Sequence, residues 1–326
     1  MPTLTELEDA ADLVHDTIRP TPEICWPLLS ERAGTEVWVK HENHTPIGAF
    51  KVRGGLVFMD NLRRDRPDLD GVITATRGNH GQSVAFAARR HGLKATVVVP
   101  HGNSVEKNAA MRALGAELVE HGHDFQAAYE HAVATAETEG LFLLPSFHAH
   151  LARGVASYSL ELFRNVADVD TVYVPIGLGS GICGAVAARD ALGLATRIVG
   201  VVSAEAPAYA LSMKRKAPVS TNSAETIADG VACRVPVQDA LDIIFRGVDR
   251  IVTVTDAEIC AAMRHFYTDT HNLAEGAGAA PLAALLQEKD KMKDRRVALI
   301  LTGGNIDRDV FRNVLSDGWS PDAKED

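Results

Sequence analysis

Apolar positions along this chain follow two rhythms. At the N-terminus Leu4, Leu7, Ala11, Val14 and Ile18 recur at helical intervals behind "TLTE", Thr3 to Glu6, which has the spacing of a capping box. The pattern predicts an amphipathic helix that stops near Pro20 and Pro22. Beyond it, short β-branched runs alternate with amphipathic stretches. "GVITAT" precedes "GQSVAFAARRHG", "KATVVVP" precedes "VEKNAAMRALG", and "LFLLP" precedes "ARGVASYSLELF". "TVYVPI" precedes "GICGAVAARDALG", "RIVGVVSAE" follows, and "RVALILTGG" is the last strong run. Runs that are apolar at consecutive positions suit parallel strands covered on both faces. The predicted fold is α/β, with open sheets flanked by helices.

Composition narrows the function. A length of 326 residues suits about two domains, and 46% hydrophobic with 23% charged residues describes a globular chain. A formal charge of -10 argues against a nucleic-acid partner, because a phosphate backbone selects basic surfaces. The acidic start "MPTLTELEDAADLVHDTI" has no signal-peptide pattern, and no run approaches the ~18 apolar residues of a membrane span. Cys25, Cys183, Cys233 and Cys260 form no Cys-x-x-Cys pair, which fits reduced thiols and a cytoplasmic location. His148 and His150, like His121 and His123, have metal-compatible spacing but suggest no third ligand, so loop histidines are expected. The tail "SPDAKED" reads as disordered.

Several stretches carry chemistry. In "TVYVPIGLGSGICGAVAARDALG" a buried strand runs through Gly177, Gly179 and Gly181 into a helix, where close backbone amides and the helix dipole favour a phosphate. A tight strand-to-helix turn is the plainer explanation. Gly179-x-Gly181-x-x-Gly184, with Glu205 downstream, also satisfies a dinucleotide fingerprint, so a nicotinamide or flavin dehydrogenase competes. "TATRGNHGQSVAFAA" makes a second strand-to-helix loop whose Thr76, Arg77, Asn79, His80 and Gln82, with Gly78 between them, offer donors to a carboxylate or ring oxygen. Thr302 in "LTGGNID" is a strand-end hydroxyl, and in isolation Lys51 of "HTPIGAFKVRGG" is a solvated helix-start lysine.

Taken in order, "GAFKVRGG", "RGNHGQS", "VPIGLGSG", "ETIADGV", "AEGAGAA" and "LTGGN" resemble the successive motifs of fold type II pyridoxal phosphate enzymes, the threonine/serine dehydratase and serine racemase group, from about Arg19 to Asp307. The resemblance implies a tryptophan synthase β-like architecture with pyridoxal 5'-phosphate between a large discontinuous domain, 1–60 and 149–326, and a small mobile domain, 61–148. It also implies that Lys51 holds the cofactor as a Schiff base and that Phe50 packs on its ring. Asn79 matches the partner of the ring 3'-oxygen, and Gly177, Leu178, Gly179, Ser180 and Gly181 match the phosphate cradle. Thr302 matches the hydroxyl facing the pyridine nitrogen, and Glu275 a glutamate near the ring. The loop Thr76, Arg77, Gly78, Asn79 and His80 matches the receiver of the substrate carboxylate. The implied reaction is removal of water and ammonia from a 2-amino-3-hydroxy acid, serine or threonine by default and 3-hydroxyaspartate or a bulkier 3-hydroxy amino acid otherwise, by a homodimer; β-replacement and a non-catalytic amino-acid sensor are alternatives.

Three departures qualify the match. Arg77 stands where racemase-like members carry a serine acid/base; an arginine is too basic for that exchange, and either binds a polar β-substituent or pairs with a structural acid. Ser203 and Tyr209 occupy the positions of a cation-binding glutamate and aspartate, so no divalent cation is expected unless a shifted Glu205 substitutes. "PSFHAHLARGV" differs from the family's usual stretch and is expected to reshape the side-chain pocket. No regulatory domain, and hence no allosteric control through one, is expected after "LTGGNID".

Overall fold

The computed structural model describes residues 1–316; the "SPDAKED" tail lies outside them. Strands β1, Glu23–Cys25, and β2, Glu36–His41, come first. Strands β3 to β6 are Gly71–Ala75, Lys94–Val99, Glu117–Glu120 and Phe142–Leu143, and β7 to β10 are Thr171–Pro175, Arg197–Ser203, Arg250–Val254 and Arg296–Leu301. They build a six-stranded sheet ordered β1-β2-β10-β7-β8-β9 and a four-stranded sheet ordered β5-β4-β3-β6. Every pairing is parallel except β1 with β2. The α/β fold with two helix-covered sheets is thus the observed one. Strands β3 and β7 are buried at every position, as consecutive apolar runs require.

The N-terminal helix spans Leu4–His15, and the Thr3–Glu6 capping box forms as expected. It ends earlier than Pro20. The N–H groups of Thr17 and Ile18 both donate to the Val14 carbonyl (3.0 and 2.9 Å), so the chain turns while Ile18 stays buried. The periodicity of Ile18 therefore reports burial and not helix. Edge strands β1 and β5 are short, partly exposed and without such runs, so they escaped the apolar-run reading; β2 and the edge strand β9 escaped it too, although "EVWV" and "RIVTV" carry short β-branched runs. His150 lies within the helix Ala149–Asn165 and not in a loop; exposed His148 caps it, its Nδ1 accepting the His150 N–H at 3.1 Å.

A buried ionic cluster ties the larger sheet to the helices over it. Arg53, in the helix Lys51–Asp65, donates to Glu42 at 2.7 and 2.9 Å, to Glu161 at 2.5 and 2.9 Å and to Ser157 at 2.9 Å. Lys40 of β2 donates to Glu161, to Glu23 at 2.5 Å and to the Thr21 carbonyl at 2.7 Å. Arg53, Glu42 and Lys40 have no exposed surface. Burial pushes the Glu161 carboxyl up, but Arg53 and Lys40 outweigh it and hold the group down at about 2. All four free cysteines are unpaired, as expected.

Candidate active site

Lys51 opens its helix where the chain leaves the end of β10. Phe50 N–H donates to the Thr302 carbonyl at 3.0 Å, Gly304 N–H donates to the Gly48 carbonyl at 3.0 Å, and Ala49 forms an antiparallel bridge with Gly303. This backbone stitch puts Lys51, Phe50 and Thr302 at one place. Lys51 Nζ lies 5.0 Å from the Phe50 ring centroid and makes no hydrogen bond among the described residues. Burial pulls its pKa down to about 8, with the charge of Glu275 opposing. Lys51 is therefore no solvated surface lysine.

The loop after β3 supplies the facing wall. Its Thr76 Oγ1 accepts the Gly78 N–H at 3.1 Å, and Asn79 then starts the helix Asn79–Arg90. Asn79 Nδ2 donates to Glu275 Oε1 at 2.7 Å, while Asn305 Nδ2 donates to Asn79 Oδ1 at 2.8 Å and to the Ile47 carbonyl at 2.8 Å. His80 is buried, and desolvation together with the Lys51 charge pulls its pKa down to about 3, so the ring is neutral. Arg77 is exposed and has no ion-pair partner among the described residues. The structural-acid role for it is thereby removed.

The glycine turn after β7 completes the arrangement. Gly179 adopts φ +106°, open to glycine and strained for other residues, and a Cβ there would sit 2.6 Å from Ala240 Cβ. A Cβ on Gly181 would lie 3.2 Å from Tyr158 Oη and 3.8 Å from Phe50 Cε2, so the turn abuts the Phe50 ring. Ser180 starts the helix Ser180–Ala191, whose first amides point into this turn. Tyr209 donates to the Leu178 carbonyl at 2.9 Å and accepts the Val237 N–H at 3.1 Å, which braces the turn from behind. Ser203 Oγ accepts the Glu205 N–H at 3.1 Å.

Unpaired polar atoms concentrate here. Among the described residues, buried side-chain atoms without a hydrogen-bond partner include His80 Nε2, Gln82 Nε2 and Glu275 Oε2; the others, Arg153 Nε and Ser159 Oγ, lie on the helix Ala149–Asn165. Native interiors rarely leave such groups unsatisfied. A half-buried amine, an anion-compatible helix N-terminus and orphaned polar atoms, an amide donor and a carboxyl oxygen, beside a neutral imidazole together fit a phosphorylated, carbonyl-bearing cofactor.

Comparison with known proteins decides which cofactor. A family model described as "Pyridoxal-phosphate dependent enzyme" matches residues 14–303. The chain belongs to the pyridoxal-phosphate-dependent enzymes. Pyridoxal phosphate is therefore its cofactor, and the dehydrogenase reading of the glycine fingerprint is set aside. The chain is 32% identical over 319 residues to an L-threonine ammonia-lyase of Thermotoga maritima, covering 98% of this chain and 79% of that protein. It is 36% identical over 315 residues to one of Geobacter sulfurreducens, covering 96% and 78%. Among solved structures, processed threonine deaminase isoform 2 of Solanum lycopersicum superposes with a TM-score of 0.89 at 30% identity, covering 97% and 94% of the two chains. Maize serine racemase gives 0.90 at 25% identity, covering 97% of each. These relatives place the chain in fold type II, within the threonine/serine dehydratase group.

Sequence reasoning passed over Lys107, Asp229 and Asn305. Asn305 and Asp229 lie inside the quoted motifs "LTGGN" and "ETIADGV", a signal that could have found them; Lys107 looks like a solvated charge until the fold buries it against Asp229.

Proposed function

We propose that this protein is a pyridoxal phosphate-dependent ammonia-lyase that converts a 2-amino-3-hydroxy acid into a 2-oxo acid and ammonia. The observation that carries the reading is the Lys51 amine beside the Phe50 ring, which the glycine turn abuts, drawn down to about 8 and without a hydrogen bond among the described residues. The naming of the relatives as threonine ammonia-lyases supports the reaction class. When bound, pyridoxal phosphate supplies an electron sink for the substrate α-carbon. Lys51 would anchor it, and Gly177, Leu178, Gly179, Ser180 and Gly181 would receive its phosphate. Phe50 would flank its ring, Asn79 would take its 3'-oxygen and Thr302 its pyridine nitrogen.

The residues of the chain then divide the work. Once the substrate amine has displaced it from the cofactor, Lys51 Nζ would be free to accept the α-proton, which its depressed pKa makes feasible near neutral pH. Thr76, Gly78, Asn79 and His80 surround the substrate carboxylate, and neutral His80 can donate one hydrogen bond. A hydroxyl partner such as Thr302 would leave the pyridine nitrogen uncharged and the sink weak, which would suit departure of the β-hydroxyl over racemisation. Water leaves from the substrate, and the resulting enamine tautomerises and takes up water again as ammonia departs.

We take 1–60 with 149–326 as the larger domain and 61–148 as the smaller, the division suggested by the two sheets, with a homodimer in the cytoplasm. A yellow protein whose visible band is removed by borohydride supports the reading. A pyridoxal-loaded sample that releases no 2-oxo acid from any 3-hydroxy amino acid would sink it, and product formed only with an added nucleophile would favour β-replacement. Threonine and serine are the default substrates. Exposed, unpaired Arg77 favours one with an anionic β-substituent such as 3-hydroxyaspartate. Arg77→Ala is expected to lower kcat/KM about tenfold or more on that substrate and little on threonine, since a charge-assisted bond is worth roughly 1.5–3 kcal/mol; equal losses on both contradict the role.

A further inference from the structure

The helix Val105–Ala113, which packs on the four-stranded sheet, also reaches the residues after β10. Ser104 caps it by accepting the Lys107 N–H at 3.1 Å, and the Ser104 hydroxyl donates to Asp307 Oδ1 at 2.5 Å. Glu106 Oε1 accepts the Arg308 N–H at 2.9 Å. From this docked turn the Lys107 side chain, 7% exposed, runs inward. Its Nζ donates to Asp229 Oδ2 at 2.6 Å and lies 3.7 Å from Glu275 Oε2, the orphaned oxygen of that carboxylate. Its stem covers the loop before Asn79, where a Cβ on Gly78 would stand only 2.7 Å from Lys107 Cδ.

We infer that Lys107 is a positioning residue for the cofactor site, setting the charge and orientation of Glu275 while holding the Gly78 turn in place. The inference rests on the lyase reading above and deepens it. Glu275 has its other oxygen on Asn79, which Asn305 holds in turn, so whatever fixes Glu275 also fixes the Asn79 amide. The charged groups acting on Glu275 come from several elements. Lys107 favours its carboxylate form, Asp229 opposes it, and Lys51 interacts with it across the site; neutral His80 lies on the Asn79 helix and Asp307 acts on Lys107. Burial pushes the Glu275 carboxyl up, with Asp229 adding to it and Lys107 pulling back. Lys107 itself is drawn down by burial, yet Asp229 and Glu275 outweigh that and raise it, so it stays an ammonium.

The arrangement gives opposite signs for two substitutions, which a merely structural role does not. In the holoenzyme, pH titration of the visible band reports the charge beside the cofactor. Lys107→Met is expected to raise the titration midpoint by about one to three pH units, the usual effect of losing a nearby opposite charge. Asp229→Asn is expected to lower it. Lys107→Arg, which keeps the charge, stays nearer the parent than Lys107→Met. A substrate analogue lacking the α-proton, 2-methylserine, binds more weakly to Lys107→Met by spectral titration, because the Gly78 turn loses its cover. Where Lys107→Met fails to fold, the near-isosteric Asp229→Asn carries the test, and an unmoved midpoint there overturns the inference. A parent protein without any Lys51-dependent band overturns the lyase reading itself; a normal band with unmoved midpoints overturns only the role of Lys107.

Discussion

Lys51 and Arg53 stand two positions apart at the start of one helix, and each sits among buried or half-buried charges. Around Arg53 every partner is supplied: two carboxylates, two hydroxyls and, through Glu161, the ammonium of Lys40. Around Lys51 the partners are withheld. Among the described residues its amine, the His80 ring and one oxygen of Glu275 lack hydrogen bonds, and burial drives Lys51, His80 and Glu275 toward their neutral forms. A saturated polar cluster fixes geometry, whereas an unsaturated one keeps bonding capacity in reserve for a ligand. Burial alone does not separate scaffold from site; the state of the hydrogen-bond ledger does.

The sharpest way to break this contrast is to remove each centre in turn. Lys51→Ala should abolish lyase turnover and the visible band while leaving thermal stability close to the parent, as calorimetry would show; marked destabilisation would mean that Lys51 is scaffold after all. Arg53→Met should do the reverse. It leaves Glu42 buried without a cation and Glu161 with Lys40 and His15 alone, a loss of about 3–5 kcal/mol by denaturant titration. A variant of unchanged stability that merely lost activity would reverse the assignment.

A gentler probe uses pH. The Glu161 carboxyl is held below its ordinary value of 4.5, at about 2, so its contribution to stability is complete above about pH 4.5 and drains away as pH falls toward about 2. Glu161→Gln should flatten the stability curve across that window, and a slope unchanged from the parent would count against the cluster. The smallest effect is expected from the same helix's exposed pair, Arg64 with Asp60 at 2.7 Å. Arg64→Ala should cost about 0.3–0.5 kcal/mol, within reach of a careful urea titration. A cost near that of Arg53→Met would show that exposure is not what separates the two pairs.

Legibility from sequence followed the same physics. Strands buried on both faces, such as "GVITA" and "TVYVP", announced themselves as apolar runs, but the edge strands "EIC" and "ELVE" did not, because half-exposed strands need no such run. Lys51, Asn79 and the Gly179 turn were found through ordered motifs, and the fold brings each beside another candidate residue. Lys107 was invisible for a physical reason: a lysine among polar residues at a helix start looks solvated until a distant aspartate and glutamate are folded against it. Ile18 shows the converse, a helical period carried by a residue in a turn.

The stitch beside Lys51 also bears on biosynthesis. Asn305 holds the carbonyl of Ile47 across 258 residues of sequence, and Phe50 waits on the backbone of Thr302. On a ribosome, where the N-terminal part emerges first, Lys51 is made well before the strand that completes its surroundings. The emerging chain should therefore gain its affinity for pyridoxal phosphate only after β10 has been delivered.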